Sequence, residues 1–162
     1  MIRKEILTTE TQDLTVYDGC EIGFGPHLTL DLHSCNENKL LDLDFVYKLL
    51  DELPGLIGMH KICPPYVFLA NNNPNTFDKG GVSGFVLIAE SHISIHTFPG
   101  NKGHAFIDIF SCKNFDFVKA TSYLKDKFEA KYVKKKLFDR GLEFPKDVKA
   151  VTEIIITERK AL

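Results

Sequence analysis

Apolar residues recur at two spacings along this chain, and each spacing predicts a different element. His27-Leu28-Thr29-Leu30-Asp31-Leu32 alternates polar and apolar positions, the mark of a half-buried strand. Phe45, Val46, Leu49, Leu50 and Leu53 form one stripe at helical spacing. Asp42 or Asp44 can cap the start of that helix, and Pro54-Gly55 is expected to stop it. Tyr66-Val67-Phe68-Leu69 follows Pro64-Pro65, and a proline pair suits an entry or edge position of a strand, not its centre. Gly80-Gly81 leads into an apolar strand, Phe85-Val86-Leu87-Ile88-Ala89. Alternation returns from His92 to Phe98, ends at Pro99-Gly100, and resumes from Ala105 to Cys112. Phe117, Thr121, Leu124 and Phe128 set a second amphipathic helix over 117–131. Val133 to Phe138 and Thr152 to Thr157 read as later strands around a turn at Gly141 to Pro145, and residues 1–18, mixed and polar, as an N-terminal extension or an edge strand.

Strands therefore follow strands and do not alternate one for one with helices. That order predicts an α+β fold: a two-layer sandwich, mainly antiparallel β-sheet, with helices on one face. The other sheet face would lie uncovered, which is a reason to expect pairing with a second copy.

Composition narrows the function classes. At 162 residues and 44% hydrophobic, the chain fits a single domain over 1–162 with a core of its own. A two-domain dinucleotide enzyme does not fit, so any chemistry sits within one small domain or at a subunit interface. Twenty basic against twenty-two acidic residues give a net charge of -2, so no global basic field invites nucleic acid. Apolar runs such as Phe85 to Ala89 fall far short of the roughly 20 residues that cross a bilayer, so no membrane partner is expected. Met1-Ile2-Arg3-Lys4-Glu5 carries charges with no apolar stretch behind them, which argues against a secretory leader. Cys20, Cys35, Cys63 and Cys112 are widely and irregularly spaced, with no C-x-x-C pair. A reduced, cytoplasmic protein is expected, with each cysteine a small buried hydrophobe by default.

Candidate chemistry concentrates in Glu90-Ser91-His92-Ile93-Ser94-Ile95-His96-Thr97-Phe98-Pro99, with His104, Asp108, Ser111 and Cys112 soon after. Polar groups next to an apolar strand need partners or a function. A metal site from His92, His96, His104 and Cys112 is disfavoured. His92 and His96 share a strand face but lie about 13 Å apart at ~3.3 Å per residue, whereas zinc needs both nitrogens about 2 Å from one point. Ser91 or Cys112 with a histidine base would suit nucleophilic catalysis, yet Ser91 lacks a Gly-x-Ser-x-Gly elbow. Ser91 and His96 also fall on opposite faces of a regular strand, and meet only if Ser91 sits at the strand end. The residues alone leave open a plain sheet with a wet polar face.

The same stretch, followed by Asp108-Ile109-Phe110-Ser111-Cys112 and preceded by Gly81-Val82-Ser83-Gly84, strongly resembles the prokaryotic S-adenosylmethionine decarboxylase proenzymes. Those carry Glu-Ser-His-[Ile/Leu]-[Ser/Thr]-Ile-His-Thr-Trp-Pro and a downstream Asp-x-Phe-[Ser/Thr]-Cys. The close match covers residues 77–112, and a looser agreement in element order spans about 25 to 140. The resemblance implies a self-processing, pyruvoyl-dependent carboxy-lyase that makes its cofactor from its own backbone. Ser91 would attack the Glu90 carbonyl, and elimination would divide the chain into 1–90 and 91–162. Residue 91 would become a pyruvoyl group able to form a Schiff base with a substrate amine. By the same resemblance Ser83 would contact the processing oxyanion and His96 would accept the processing proton. Cys112 would return a proton to the substrate, which suits a thiol whose free pKa lies near 8.5. Phe77 would stack on the adenine ring, and His92 and His104 match no role. The family forms dimers, with sites at or near the interface.

Two departures stand out. Gly100 replaces a glutamate that would bind the ribose hydroxyls, and one extra residue lies between Pro99 and Cys112. Asp78 or another loop acid would have to take that contact. S-adenosylmethionine, for spermidine synthesis, is the expected substrate. Arginine or ornithine, used by other members with the same pyruvoyl chemistry, is the alternative. A non-catalytic paralogue that regulates an active partner is the third reading, and it would stay uncut.

Overall fold

A computed structural model of the chain describes residues 24–70, 80–100 and 102–142. The extension at 1–18, Cys20, Phe77, Asp78 and the strand expected at Thr152 to Thr157 lie outside them. In chain order come β1 (Gly25–His33), α1 (Glu37–Leu40), α2 (Leu43–Leu56), β2 (Tyr66–Ala70), β3 (Gly81–Ile88), β4 (Ser91–Phe98), β5 (His104–Ser111), α3 (Phe117–Phe128) and β6 (Tyr132–Arg140). The six strands make one sheet in the order β2-β3-β4-β5-β1-β6, and every neighbouring pair is antiparallel. β2 is an edge, one of the two placements its preceding proline pair allows. The expected α+β sandwich, with helices on one face of an antiparallel sheet, is the fold observed.

Alternation explains the layering. Leu28, Leu30 and Leu32 of β1, Ile93 and Ile95 of β4, and Ile107 and Ile109 of β5 are all buried. They pack in one cluster with Val46, Leu49, Leu50 and Leu53 of α2 and Ala120, Leu124 and Phe128 of α3. Each such Leu, Ile, Val or Phe side chain contributes roughly 1.5–3 kcal/mol by leaving water. Both longer helices are capped by aspartate. Asp42 accepts from the Phe45 N–H at 3.0 Å, and Asp116 from the Lys119 N–H at 2.8 Å. Thr97 ties the layers together: its buried hydroxyl accepts from the Val82 N–H at 2.7 Å and donates to the Leu40 carbonyl at 2.6 Å.

Two helix ends need correction. Pro54 does not stop α2; it lies in the last turn, and the helix runs to Leu56. The stop is Gly58, at φ +75. There the N–H of Gly58 bonds the Gly55 carbonyl and that of Met59 the Pro54 carbonyl, a Schellman ending. The second helix ends at Phe128 and not at 131, because Glu129 adopts a left-handed φ of 54. The apolar run of β3 is buried on one side only. Val86 and Ile88 face the helices, while Phe85 and Leu87 are exposed. They share the uncovered face with Phe106 of β5 and Phe138 of β6, both also exposed.

Candidate active site

The sheet's architecture places the Glu90-Ser91 peptide at the tight turn from β3 to β4. Ser91 has φ +146, a backbone region that side chains avoid at a cost of roughly 1–3 kcal/mol. Ser91 pairs with Ser111 across β4 and β5, so the next residue, Cys112, reaches back over the strand ends. Its N–H donates to the Glu90 carbonyl oxygen at 2.8 Å. The Ser91 hydroxyl lies 3.2 Å from His92 Nδ1, and the His92 ring meets Phe110 edge-on at 5.8 Å. A hydroxyl beside an imidazole nitrogen has a proton acceptor at hand, and a carbonyl already holding an N–H is polarised toward attack.

Glu90 is held by its side chain as well. Its carboxylate accepts from the His60 N–H at 3.1 Å and lies 3.0 Å from His60 Nδ1. The His60 hydrogen bond keeps the Glu90 carboxyl below the usual carboxylate range, against an opposing pull from burial.

Ser83 and His96 form a separate pair. They face each other across β3 and β4, with Ser83 Oγ 3.0 Å from His96 Nδ1. His96 is five residues along β4 from Ser91, about 16 Å at ~3.3 Å per residue, and on the open face. One chain thus joins Ser91 to Glu90, His92 and Cys112, and joins Ser83 to His96, but it does not bring the two groups together.

Cys112 is exposed, unlike the buried default expected of a cysteine. Cys35 does fit that default: it is buried, and desolvation pushes its thiol up to about 11. Gly100 has φ +83 and closes the β4–β5 turn by accepting from the Gly103 N–H at 2.9 Å. A glutamate at this φ would be strained, so the turn itself disfavours the family's residue here. Among the described residues no three His, Cys, Asp or Glu side chains come together as a metal site.

Two residues escaped the sequence reading. His92, given no role, touches the Ser91 hydroxyl; adjacency was the available signal, and the positive φ that turns Ser91 toward it is not written in the sequence. His60 arrives from thirty residues away, through a lone bridge of Lys61 to Ile88, and no local pattern marks it.

Comparison with known proteins shows the family. Residues 26–141 match the S-adenosylmethionine decarboxylase family. The chain is 34% identical over 142 residues to an S-adenosylmethionine decarboxylase proenzyme of Thermococcus onnurineus, covering 87% of this chain and 92% of that one. It is 34% identical over 118 residues to the proenzyme of Clostridium botulinum, covering 72% and 94%. The crystal structure of adenosylmethionine decarboxylase from Aquifex aeolicus superposes with a TM-score of 0.60 at 26% identity, covering 75% of this chain and 93% of that one.

Proposed function

The chain belongs to the S-adenosylmethionine decarboxylase family, and on that premise we infer a self-processing carboxy-lyase that decarboxylates S-adenosylmethionine to supply spermidine synthesis. The observation that carries this reading is the Cys112 N–H on the Glu90 carbonyl, beside a Ser91 held at φ +146. A residue about to become pyruvoyl must turn its own hydroxyl on the carbonyl carbon of the preceding residue, and Ser91 follows the Glu90 carbonyl at this turn.

Ser91 Oγ attacks the Glu90 carbonyl carbon. The C–N bond breaks, the amine takes the hydroxyl proton, and an ester remains. The Cys112 N–H donates to the oxyanion formed on the way. A base then removes the Ser91 Cα proton, the Cβ–Oγ bond breaks, and the Glu90 carboxylate leaves. The dehydroalanine left behind gains a proton at Cβ and gives one up from nitrogen to become an imine, which water hydrolyses to a ketone and ammonia. The pyruvoyl group so made at residue 91 supplies the electron sink for decarboxylation. The exposed Cys112 thiol serves as proton donor to the substrate, and Phe77 as the adenine-stacking aromatic.

Ser83 as oxyanion contact and His96 as processing base belong to the same reading, and their distance from Ser91 argues for a homodimer. The open sheet face carries Phe85, Leu87, Phe106 and Phe138 in water, an apolar surface that a second copy would cover. A two-fold contact pairs opposite ends of the same face. It would lay the Ser83–His96 end of one copy over the Ser91 end of the other, completing each site from two chains. The described cysteines are free thiols, in keeping with a cytoplasmic, reducing compartment.

Carboxyl-labelled S-adenosylmethionine, arginine and ornithine, offered separately to the purified protein, test the substrate. Release of labelled carbon dioxide from S-adenosylmethionine supports the reading. Release only from arginine or ornithine contradicts it, and would connect with Gly100, where the ribose-binding carboxylate is missing.

A further inference from the structure

We propose that His60 is a positioning residue for self-cleavage, gripping the Glu90 carboxylate so that the Glu90 carbonyl stays seated on the Cys112 N–H and open to Ser91. The inference rests on the cleavage proposed above. It comes from the two-ended hold on Glu90: carbonyl on β5's end, carboxylate on the segment between α2 and β2.

The grip is mounted on a firm support. Just before His60, the chain leaves α2 through the Schellman ending and the buried Met59. Just after it, Lys61 bridges to Ile88 and pairs with Asp51 of α2, and the Ile62 N–H bonds the Leu87 carbonyl at 3.1 Å. The His60 carbonyl accepts the Ala89 N–H at 2.8 Å. His60 therefore touches the turn at Ala89 and twice at Glu90.

Packing does not account for the ring. The His60 side chain is 78% exposed, whereas that of Glu90 is 11% exposed. The carboxylate is the group taken from water, and it needs the imidazole as a partner. Its negative charge also stands on the residue whose α-carboxylate must leave during elimination. A donor on the side chain lowers the repulsion between those two carboxylates as the second one forms.

Cell-free synthesis followed by a chase, with precursor and products resolved on a denaturing gel, measures the cleavage rate. His60→Ala should slow cleavage at least tenfold. His60→Asn, whose amide can donate from near the place of Nδ1, should restore it to within threefold of the native chain. In a Glu90→Ala background, His60→Ala should change the rate less than twofold. Native-like cleavage by His60→Ala would overturn the proposal. So would an equal slowing in the Glu90→Ala background, or no rescue by asparagine, because either means that His60 acts other than through the carboxylate. A native chain that never cleaves would overturn the reading of self-processing itself, and the proposal with it.

Discussion

The backbone N–H of Cys112 donates to the carbonyl oxygen of Glu90 across the ends of two neighbouring strands. In the proposed mechanism one cysteine would join two stages of the chemistry: its main chain would polarise the Glu90-Ser91 bond, and its thiol would serve afterwards. Removing the side chain should separate the two. Cys112→Ala should still cut itself, because the N–H remains, and should decarboxylate at least a hundredfold more slowly, within the usual range for loss of an acid–base group. Fragment yield and carbon dioxide release, measured on one preparation, check this. Full turnover by the variant would remove the thiol from the mechanism.

Strain at the cut site can be read from stability. Among the described residues Ser91 is one of four non-glycine residues with positive φ, beside Ser34, Lys102 and Glu129. Ser91→Gly removes the steric cost and the nucleophile together. The variant should remain whole, and should resist denaturant better than Ser91→Ala by about 1 kcal/mol. Equal unfolding midpoints for the two variants would mean that the turn holds Ser91 without strain.

Thr97 lies in the same signature as the reacting groups, yet its bonds are structural. Thr97→Val keeps the shape and leaves the Val82 N–H and the Leu40 carbonyl without their hydroxyl partner. Unfolding should become easier by about 2–4 kcal/mol, with cleavage still occurring in the folded fraction. Chemical denaturation, with fragment analysis at low denaturant, measures both.

The histidines of the open face make stability sensitive to acid. His33 Nδ1 lies 3.1 Å from His104 Nδ1. Burial first, and the neighbouring His104 second, lower the His33 pKa, and burial lowers that of His27. The unfolded chain therefore takes up these protons first as pH falls through about 6.5, the ordinary histidine value. Stability should be full above that pH and decline toward pH 5, and His33→Gln should flatten the decline. A thermal midpoint that holds or rises on acidification would contradict this.

Much of this molecule is legible in its pattern of residues. The alternation at Leu28, Leu30 and Leu32 and the stripe from Phe45 to Leu53 fix the layers, and the proline pair keeps β2 from being read as a strand centre. Two ends of elements were misread. A proline in a last helical turn gives up only a late hydrogen bond, so Pro54 is tolerated where Gly58 stops the helix. Glu129 takes a glycine-like φ, and ion pairing to Lys39 at 2.8 Å and a bond from Asn36 at 2.8 Å hold its side chain there. The reacting stretch itself stood out, because hydroxyls and imidazoles crowd behind an apolar strand. What the sequence could not convey was distance. Ser83 and His96 meet across a hairpin, Glu90 and Cys112 meet through strand register, and His60 arrives through a bridge between distant segments. Each contact depends on how strands align, which no single stretch encodes.

The central claim is that the Glu90-Ser91 peptide cuts itself. Intact mass measurement of the purified native chain beside Ser91→Ala tests it most directly. The native protein should give two chains, one ending at Glu90 and one beginning with a pyruvoyl group at position 91, while Ser91→Ala gives a single uncut mass. A native chain that keeps one mass of 18.3 kDa, or one that is cut equally in Ser91→Ala, would contradict the account.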